Sequence, residues 1–467
     1  MKIKQIILRL TLFIVCLLLF FAAVILTEYI SVVSRSKYQD YWTSPSFVKE
    51  GAYYVSVNPN MVRSRFKADK PAGEYRVFVI GSSQAMGSPY VQHNYDKTIV
   101  LFGFIRMPNT GGISTWLEQY LRVILPGKEI KVVNVCQDYL GIEAHLKVFK
   151  EVAALGKPDL VIILAGNNER DSPAKYGAIK LYNPSRHDME IISRNLDDIV
   201  GHNTRNYALA AGEIVSLAGE KGLKVYFATV PSNLRDWIPV DLPLAGRSRI
   251  EDLIGSGKYK AALALLRGGG PDNNSVRSFY TAKCYDKMGM FSEAKEYYYK
   301  AREQDKSFMR VRGAWNGVIR ALSGGSVRVI DLERIISSYA KDGIPGEDLF
   351  HDHCHFKLRA NMLAAREFAK FYIRDNGLPE TEVAKIEALR LEYNGRDDLR
   401  LLYLIKFLKW TKLEIYAFLT GQYTGSLGQM RDSYARSLKE LHTINTLIFC
   451  DEADLRGSYP GEARRDR

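Results

Sequence analysis

Residues 74–90 read E-Y-R-V-F-V-I-G-S-S-Q-A-M-G-S-P-Y, and the rest of the chain takes its meaning from them. The run Val77–Ile80 is apolar and rich in β-formers, and it stops at Gly81-Ser82-Ser83 with Gly87 close behind. Such a run predicts a buried strand ending in a tight turn. A serine on that turn stands at the carboxyl edge of a sheet, where its hydroxyl and nearby backbone N–H groups can face a ligand. Ser83 is therefore a candidate nucleophile. A plain βα loop with serine as the helix N-cap fits the same residues.

Downstream, helical spacing and short apolar runs alternate. Helices are expected over Thr115–Ile124, Ile142–Leu155 and Asn203–Glu220, and strands over Ile130–Val135, Leu160–Leu164, Leu223–Val230 and Val327–Leu332. Continuous apolar strands separated by helices predict an α/β fold, three layers deep, with a five-stranded parallel, flavodoxin-like sheet. Residues 74–248 and 323–375 form its two parts. Between them, 249–322 is helical and repetitive: Gly257, Tyr259, Ala262 and Leu266 recur 32 residues on as Gly289, Phe291, Ala294 and Tyr298. That offset is close to the roughly 34 residues of a tetratricopeptide unit, so a helical repeat-like insertion is expected, with a protein partner as its use. Residues 376–467 predict a C-terminal helical extension whose leucine and aromatic stripe, including Tyr403, Phe407 and Leu408, reads as core.

Upstream, residues 34–73 are polar and aromatic with Pro45, Pro59 and Pro71, and read as a loop-rich stalk. Leu10–Thr27 is eighteen residues without a charge, preceded by Lys2, Lys4 and Arg9. It is long enough to span a bilayer core, and the basic flank keeps the amino terminus cytoplasmic. Residues 1–33 are therefore expected to be a retained N-terminal transmembrane helix with the main domain extracytoplasmic; no convincing small-residue cleavage site follows it.

Composition narrows the chemistry. Of the net charge of +13, the first 33 residues carry +2, and the remaining +11 favours acidic polysaccharide or an anionic membrane surface. No nucleic-acid motif accompanies it, so nucleic acid is not an expected partner. The five cysteines form neither a disulfide framework nor C-x-x-C pairs, which argues against redox chemistry and structural zinc. No cofactor is expected.

In an open α/β sheet the residues just beyond the strands hold the chemistry. After the third sheet strand comes Gly166-Asn167-Asn168-Glu169, and beyond the fifth comes Leu349–His355, L-F-H-D-H-C-H. Asp352 and His355 on one turn can brace an imidazole against Ser83, which needs a base because a hydroxyl is a weak nucleophile. Asn168 can donate its amide N–H to an oxyanion, with the Ser83 backbone N–H beside it. Ser82 is the rival nucleophile. The run from His351 to His355 also holds metal-ligand types, but alternate side chains of an extended segment diverge and no second cluster completes a set. Asn233 and Arg235, after the fourth strand, are candidates to line a substrate pocket or to tie their loop. Glu169 and Arg170 read as a local ion pair.

These blocks, in order, resemble the SGNH or GDSL-type hydrolase superfamily, and in particular a bacterial membrane-anchored subgroup with a tetratricopeptide-like insertion. Gly81-Ser82-Ser83 with Gly87 is similar to its first block, with Ser82 where aspartate is usual. Gly166-Asn167-Asn168-Glu169 is similar to its third block, and Asp352-His353-Cys354-His355 to its last. The resemblance covers about residues 76–372. It implies a serine esterase or O-acyltransferase acting on ester groups, with O-acetylated surface polysaccharide the first substrate class to test. It also implies a third oxyanion donor from a glycine after the second sheet strand. Here Gly141 is the nearest glycine, and Cys136 can fill the slot because only a backbone N–H is required. The competing class is a non-catalytic scaffold of the same fold that binds envelope or polysaccharide-export partners.

Overall fold

A computed structural model of the protein describes residue 15 and residues 44–91, 110–268, 273–322, 325–389, 391–392, 396–419, 425–443 and 448–449. The apolar segment Leu10–Thr27 lies outside the described residues; among those described, no helix is long and apolar enough to cross a membrane.

The stretch read as a loop-rich stalk carries a small antiparallel sheet, β1 (Phe47–Glu50), β2 (Tyr53–Ser56) and β3 (Arg65–Lys67). Its prolines fall outside the strands, and Phe66 anchors it by packing edge-on against Phe78 of the main sheet, ring centroids 5.1 Å apart. Strands this short offer too little alternation to be recognised from sequence.

The main sheet comprises β4 (Glu74–Gly81), β5 (Glu129–Asn134), β6 (Leu160–Leu164), β7 (Val225–Ala228) and β8 (Val327–Ile330), in the order β5-β4-β6-β7-β8 and parallel throughout. All five residues of β6 are buried, as a central strand covered on both faces requires. Among the helices, α1 (Ser83–Met86) is a single turn directly after β4, and α2 (Ile113–Ile124) and α3 (Ile142–Leu155) follow β4 and β5. The next, α4, runs Arg186–Lys221 and starts well before the expected Asn203. A Ser185/Asp188 capping box fixes its start, while Asn195, at φ −131°, breaks the helical backbone and masks the periodicity of its first half.

Between β7 and β8 come α5 (Arg247–Gly255), α6 (Tyr259–Arg267), α7 (Ser275–Lys287), α8 (Phe291–Gln304) and α9 (Gly313–Ala321). The first four build an apolar cluster of their own around Ala262, Phe279, Ala294 and Tyr298. Phe308, Val311, Trp315 and Ile319 instead join the large core under the sheet. After β8 the chain forms α10 (Leu332–Tyr339), α11 (Leu358–Asp375), α12 (Glu380–Glu387), α13 (Arg396–Leu419) and α14 (Gly425–Thr443). On α13, Leu402, Tyr403 and Trp410 are buried as expected of core, but Leu408 is 48% exposed.

The strand order reverses between β4 and β6, so the loops after these two neighbours part there and leave a crevice at their carboxyl ends. Gly81 pairs with Leu164 across this gap, and a Cβ at Gly81 would stand 2.0 Å from the Leu164 carbonyl oxygen. Only glycine lets the two strands stay in register as the chain turns toward Ser83.

Candidate active site

Three loops meet in the crevice. Ser83, the first residue of α1, is delivered by β4, and its Oγ lies 2.8 Å from His355 Nε2. His355 Nδ1 lies 2.7 Å from Asp352 Oδ2. An ionised carboxylate only accepts, so Nδ1 carries the proton and donates to Asp352, which leaves Nε2 to accept from the Ser83 hydroxyl. The other Asp352 oxygen accepts the backbone N–H groups of Cys354, 3.0 Å, and His355, 2.9 Å.

Burial alone would raise the Asp352 carboxyl, but the neighbouring His355 and His353 rings and the N–H donors outweigh it and hold it well below the usual carboxylate range. Burial pushes His355 down; the Asp352 charge and hydrogen bond overcome this, and its net displacement is upward. At His353 the Asp352 charge also pushes upward, but burial outweighs it and the ring falls to about 3.

The loop that carries Asp352 and His355 is a short hairpin closed by the His351 N–H donating to the His355 carbonyl, 2.8 Å, with Phe350 against Phe356 behind it. Asn233 braces its tip. Its backbone N–H donates to the His353 carbonyl, 3.0 Å, and its side-chain amide to the Asp352 carbonyl, 3.1 Å. Arg235 is held away from the crevice by Asp286, Asp342 and the Lys341 carbonyl. Neither of these two lines the cavity beside Ser83: Asn233 ties the loop that carries Asp352 and His355, and Arg235 ties its own loop to α7.

That cavity is lined by Ser83, Asn168 and His355 together with Asp138, Tyr139, Arg170 and Tyr182. The Asn168 Nδ2 is buried there with no hydrogen-bond partner, an orphan donor in reach of whatever occupies the crevice. Its neighbour Asn167 is fully engaged, donating to Gln84 Oε1 at 2.9 Å and accepting from the Val311 N–H at 3.0 Å.

The loop after β5 departs from the expectation for a third donor. Gly141 does not line the cavity, because its Cα backs onto Glu169, where a Cβ would come within 2.8 Å of Oε2. The Cys136 N–H is taken up by Asn134 Oδ1 at 3.2 Å. Asp138 and Tyr139 occupy this side instead, Tyr139 at φ +63° with its N–H on Asp138 Oδ1.

Asp352, Cys354 and His355 bring ligand atoms within 4.8 Å of one another. The Asp352 and His355 atoms are already committed to each other, to Ser83 and to backbone N–H groups. Burial also raises the Cys354 thiol, so the set is arranged for proton transfer rather than for a cation.

Glu169 and Arg170 do not form the expected local ion pair. Both Glu169 oxygens accept from the Ile142 N–H, at 3.2 and 3.1 Å, and burial pushes its carboxyl up to about 8. Arg170 turns the other way, its guanidinium 4.4 Å above the Tyr182 ring. The far wall of the cavity comes from α13 and α14: Lys406, Lys409, Trp410, Met430 and Tyr434. Sequence reading assigned these residues no role, because where a terminal helix docks is decided by tertiary packing; only the placement of Arg170 two residues beyond Asn168 was a usable sign.

No family profile and no curated protein sequence matches the chain. Among solved structures it is similar to an α/β hydrolase from the metagenome of Lake Arreo, Spain, at 13% identity and a TM-score of 0.30, over 66% of this chain and 97% of that one. It is also similar to a catalytic mutant of an acetylxylan esterase from Geobacillus stearothermophilus, at 13% identity and 0.28, over 67% and 98%. A third, described as a GDSL-like lipase from Parabacteroides merdae, gives 13% and 0.27, over 66% and 99%.

Proposed function

We propose that the chain is a serine esterase or O-acyltransferase of the SGNH type, with Ser83, His355 and Asp352 as its triad. The observation that carries this reading is the unbroken hydrogen-bonded line from Ser83 Oγ through the His355 ring to Asp352, opening on a cavity that also holds the orphan Asn168 amide. Ser83 Oγ attacks the ester carbonyl as His355 Nε2 takes its proton. The oxyanion is met by the Asn168 Nδ2–H and the Ser83 backbone N–H. His355 then protonates the departing alkoxide, and the acyl-enzyme passes its acyl group to water or to a sugar hydroxyl. Asp352 keeps the imidazole in the tautomer that can accept, and stabilises the imidazolium once it forms.

The apolar Leu10–Thr27 with its basic flank supports a membrane-anchored, extracytoplasmic setting, in which O-acetylated surface polysaccharide is the substrate class. The helices at 249–322 are proposed as a tetratricopeptide-like insertion that docks a protein partner. The shared φ of Gly257 (+75°) and Gly289 (+77°), and the full burial of Ala262 and Ala294 at the same 32-residue offset, support the repeat.

A fluorophosphonate probe tests the chemistry on the detergent-solubilised full chain. Labelling is expected at Ser83 and is expected to vanish in His355→Ala, with Ser83→Ala losing hydrolysis of a small acetyl ester. Full hydrolysis by Ser83→Ala would remove the mechanism.

A further inference from the structure

The cavity beside Ser83 is electrically lopsided. Arg170, Lys406 and Lys409 line it, against Asp138 as the one carboxylate among its described lining residues. Arg170 is the informative member. It sits on the loop after β6, two residues beyond Asn168, with its guanidinium stacked over Tyr182 and its Nε buried without a hydrogen-bond partner. No carboxylate among the described residues lies within ion-pair distance of it.

Arg170 is only partly exposed, and a guanidinium set in a cavity wall with its Nε buried normally has an acid to answer it, since a poorly solvated unpaired charge is costly. Three carboxylates of the loops around the cavity are each committed. Both oxygens of Glu169 accept from the Ile142 N–H. Asp138 Oδ1 accepts from the Tyr139 N–H at 3.0 Å. Asp352 is spent on His355 and on two backbone donors. The raised carboxyl of Glu169 leaves it largely protonated at neutral pH, so it cannot serve as the counter-charge either. Tyr182 offers a ring face, which fixes the guanidinium plane while leaving its edge of N–H donors unused.

A planar fork of donors fixed in this way matches the oxygens of a carboxylate or a phosphate, and both make two parallel hydrogen bonds to it. Resting on the esterase or acyltransferase reading above, we propose that the cavity selects an ester whose alcohol moiety carries an anionic group, carboxylate or phosphate, seated on Arg170 with Lys409 beside it. Lys409 stands on α13 with its amine 5.7 Å from the Trp410 ring centroid, so this second cation comes from the C-terminal helices rather than from the sheet loops. In this role Arg170 is a specificity residue: it holds a part of the substrate remote from the reacting carbonyl.

Three acetyl esters with the same acyl group test it: those of 4-hydroxybenzoate, of 4-hydroxyphenyl phosphate and of 4-hydroxybenzamide. The full chain in detergent is expected to favour one of the charged esters over the neutral amide in kcat/KM, and the preferred one identifies the anion as carboxylate or phosphate. In Arg170→Gln the charged-to-neutral ratio is expected to fall about tenfold or more, mainly through KM, with Arg170→Lys recovering part of it. A ratio taken within one variant is insensitive to how much of that variant is folded. A wild-type ratio at or below one, or a ratio unmoved in Arg170→Gln, overturns the proposal while Ser83 labelling by the fluorophosphonate probe still upholds the esterase. If Ser83 is neither labelled nor able to turn over any ester, the esterase reading itself falls. The anion site is then judged by binding of 4-hydroxybenzoate and 4-hydroxyphenyl phosphate: affinity lost in Arg170→Gln upholds it, and no affinity in the wild type overturns it.

Discussion

At His355 two opposed influences act on one ring, and their balance sets when the base is usable. Burial lowers the imidazole and Asp352 raises it, with a net rise, so the neutral form needed to accept from Ser83 is lost as pH falls through a value above that of an ordinary histidine. Activity should therefore switch off on acidification earlier than for a free imidazole. In Asp352→Asn the burial is opposed only by the weaker Asp138 charge, and the acid limb of kcat/KM is expected to move to lower pH while kcat drops about 10³–10⁴-fold. A pH–rate profile of both proteins checks the direction; a limb that stays in place would mean that Asp352 does not govern the ring. Ser83, Asn168, Asp352 and His355 were legible in the sequence because each follows a recognisable strand or sits in a short fixed spacing. Gly141 and Cys136 were misleading, since what matters there is where a backbone N–H points, and a sequence does not carry that.

Elements α13 and α14 bear on the site through His351, the residue before Asp352. Its Nε2 lies 2.7 Å from the Tyr90 hydroxyl and its Nδ1 3.0 Å from Ser437 Oγ on α14, while Tyr434 stacks on the ring and the Tyr403 hydroxyl reaches Tyr90 at 2.9 Å. Tyr90 belongs to the loop after Ser83 and His351 to the loop that carries Asp352 and His355, so the two C-terminal helices fasten both of these loops from outside the sheet. Tyr90→Phe would leave His351 Nε2 only the more distant Tyr403 hydroxyl, at 3.4 Å, with a cost of about 1 kcal/mol in denaturant unfolding. Ser437→Ala should cost a similar amount by uncovering Nδ1. A loss below about 0.5 kcal/mol in both, the usual size of a surface change, would show that the helices merely rest there. The leucine and aromatic stripe of α13 identified a buried face, but nothing in its periodicity named the partner beneath it.

Across the whole molecule, the five strands were legible because continuous apolar runs have few other uses in a chain of this composition. Their order was less so, since the crevice depends on β4 lying between β5 and β6. The fold also stores three buried neutral histidines, His145 lowered to about 4 and His351 and His353 to about 3, each chiefly by burial. Unfolding returns them to water, where an ordinary histidine takes a proton near 6.5. The unfolded chain therefore binds more protons between about pH 6.5 and 4, and stability falls as pH is lowered through that window. Near pH 5 these histidines should contribute roughly three protons, a slope of about 4 kcal/mol per pH unit. Chemical unfolding at a series of pH values measures this slope, and a flat profile from 6.5 to 4 would contradict the burial of these rings.

The contact between Ser83 and His355 joins residues 272 positions apart. At about 5–20 residues per second, the ribosome adds that span in roughly 15–55 seconds. Through that interval the emerging serine has no base, and a hydroxyl without one is a poor nucleophile. Under the proposed mechanism the polypeptide is thus chemically silent while it is being made, and reactivity arrives only after the last sheet strand has been added.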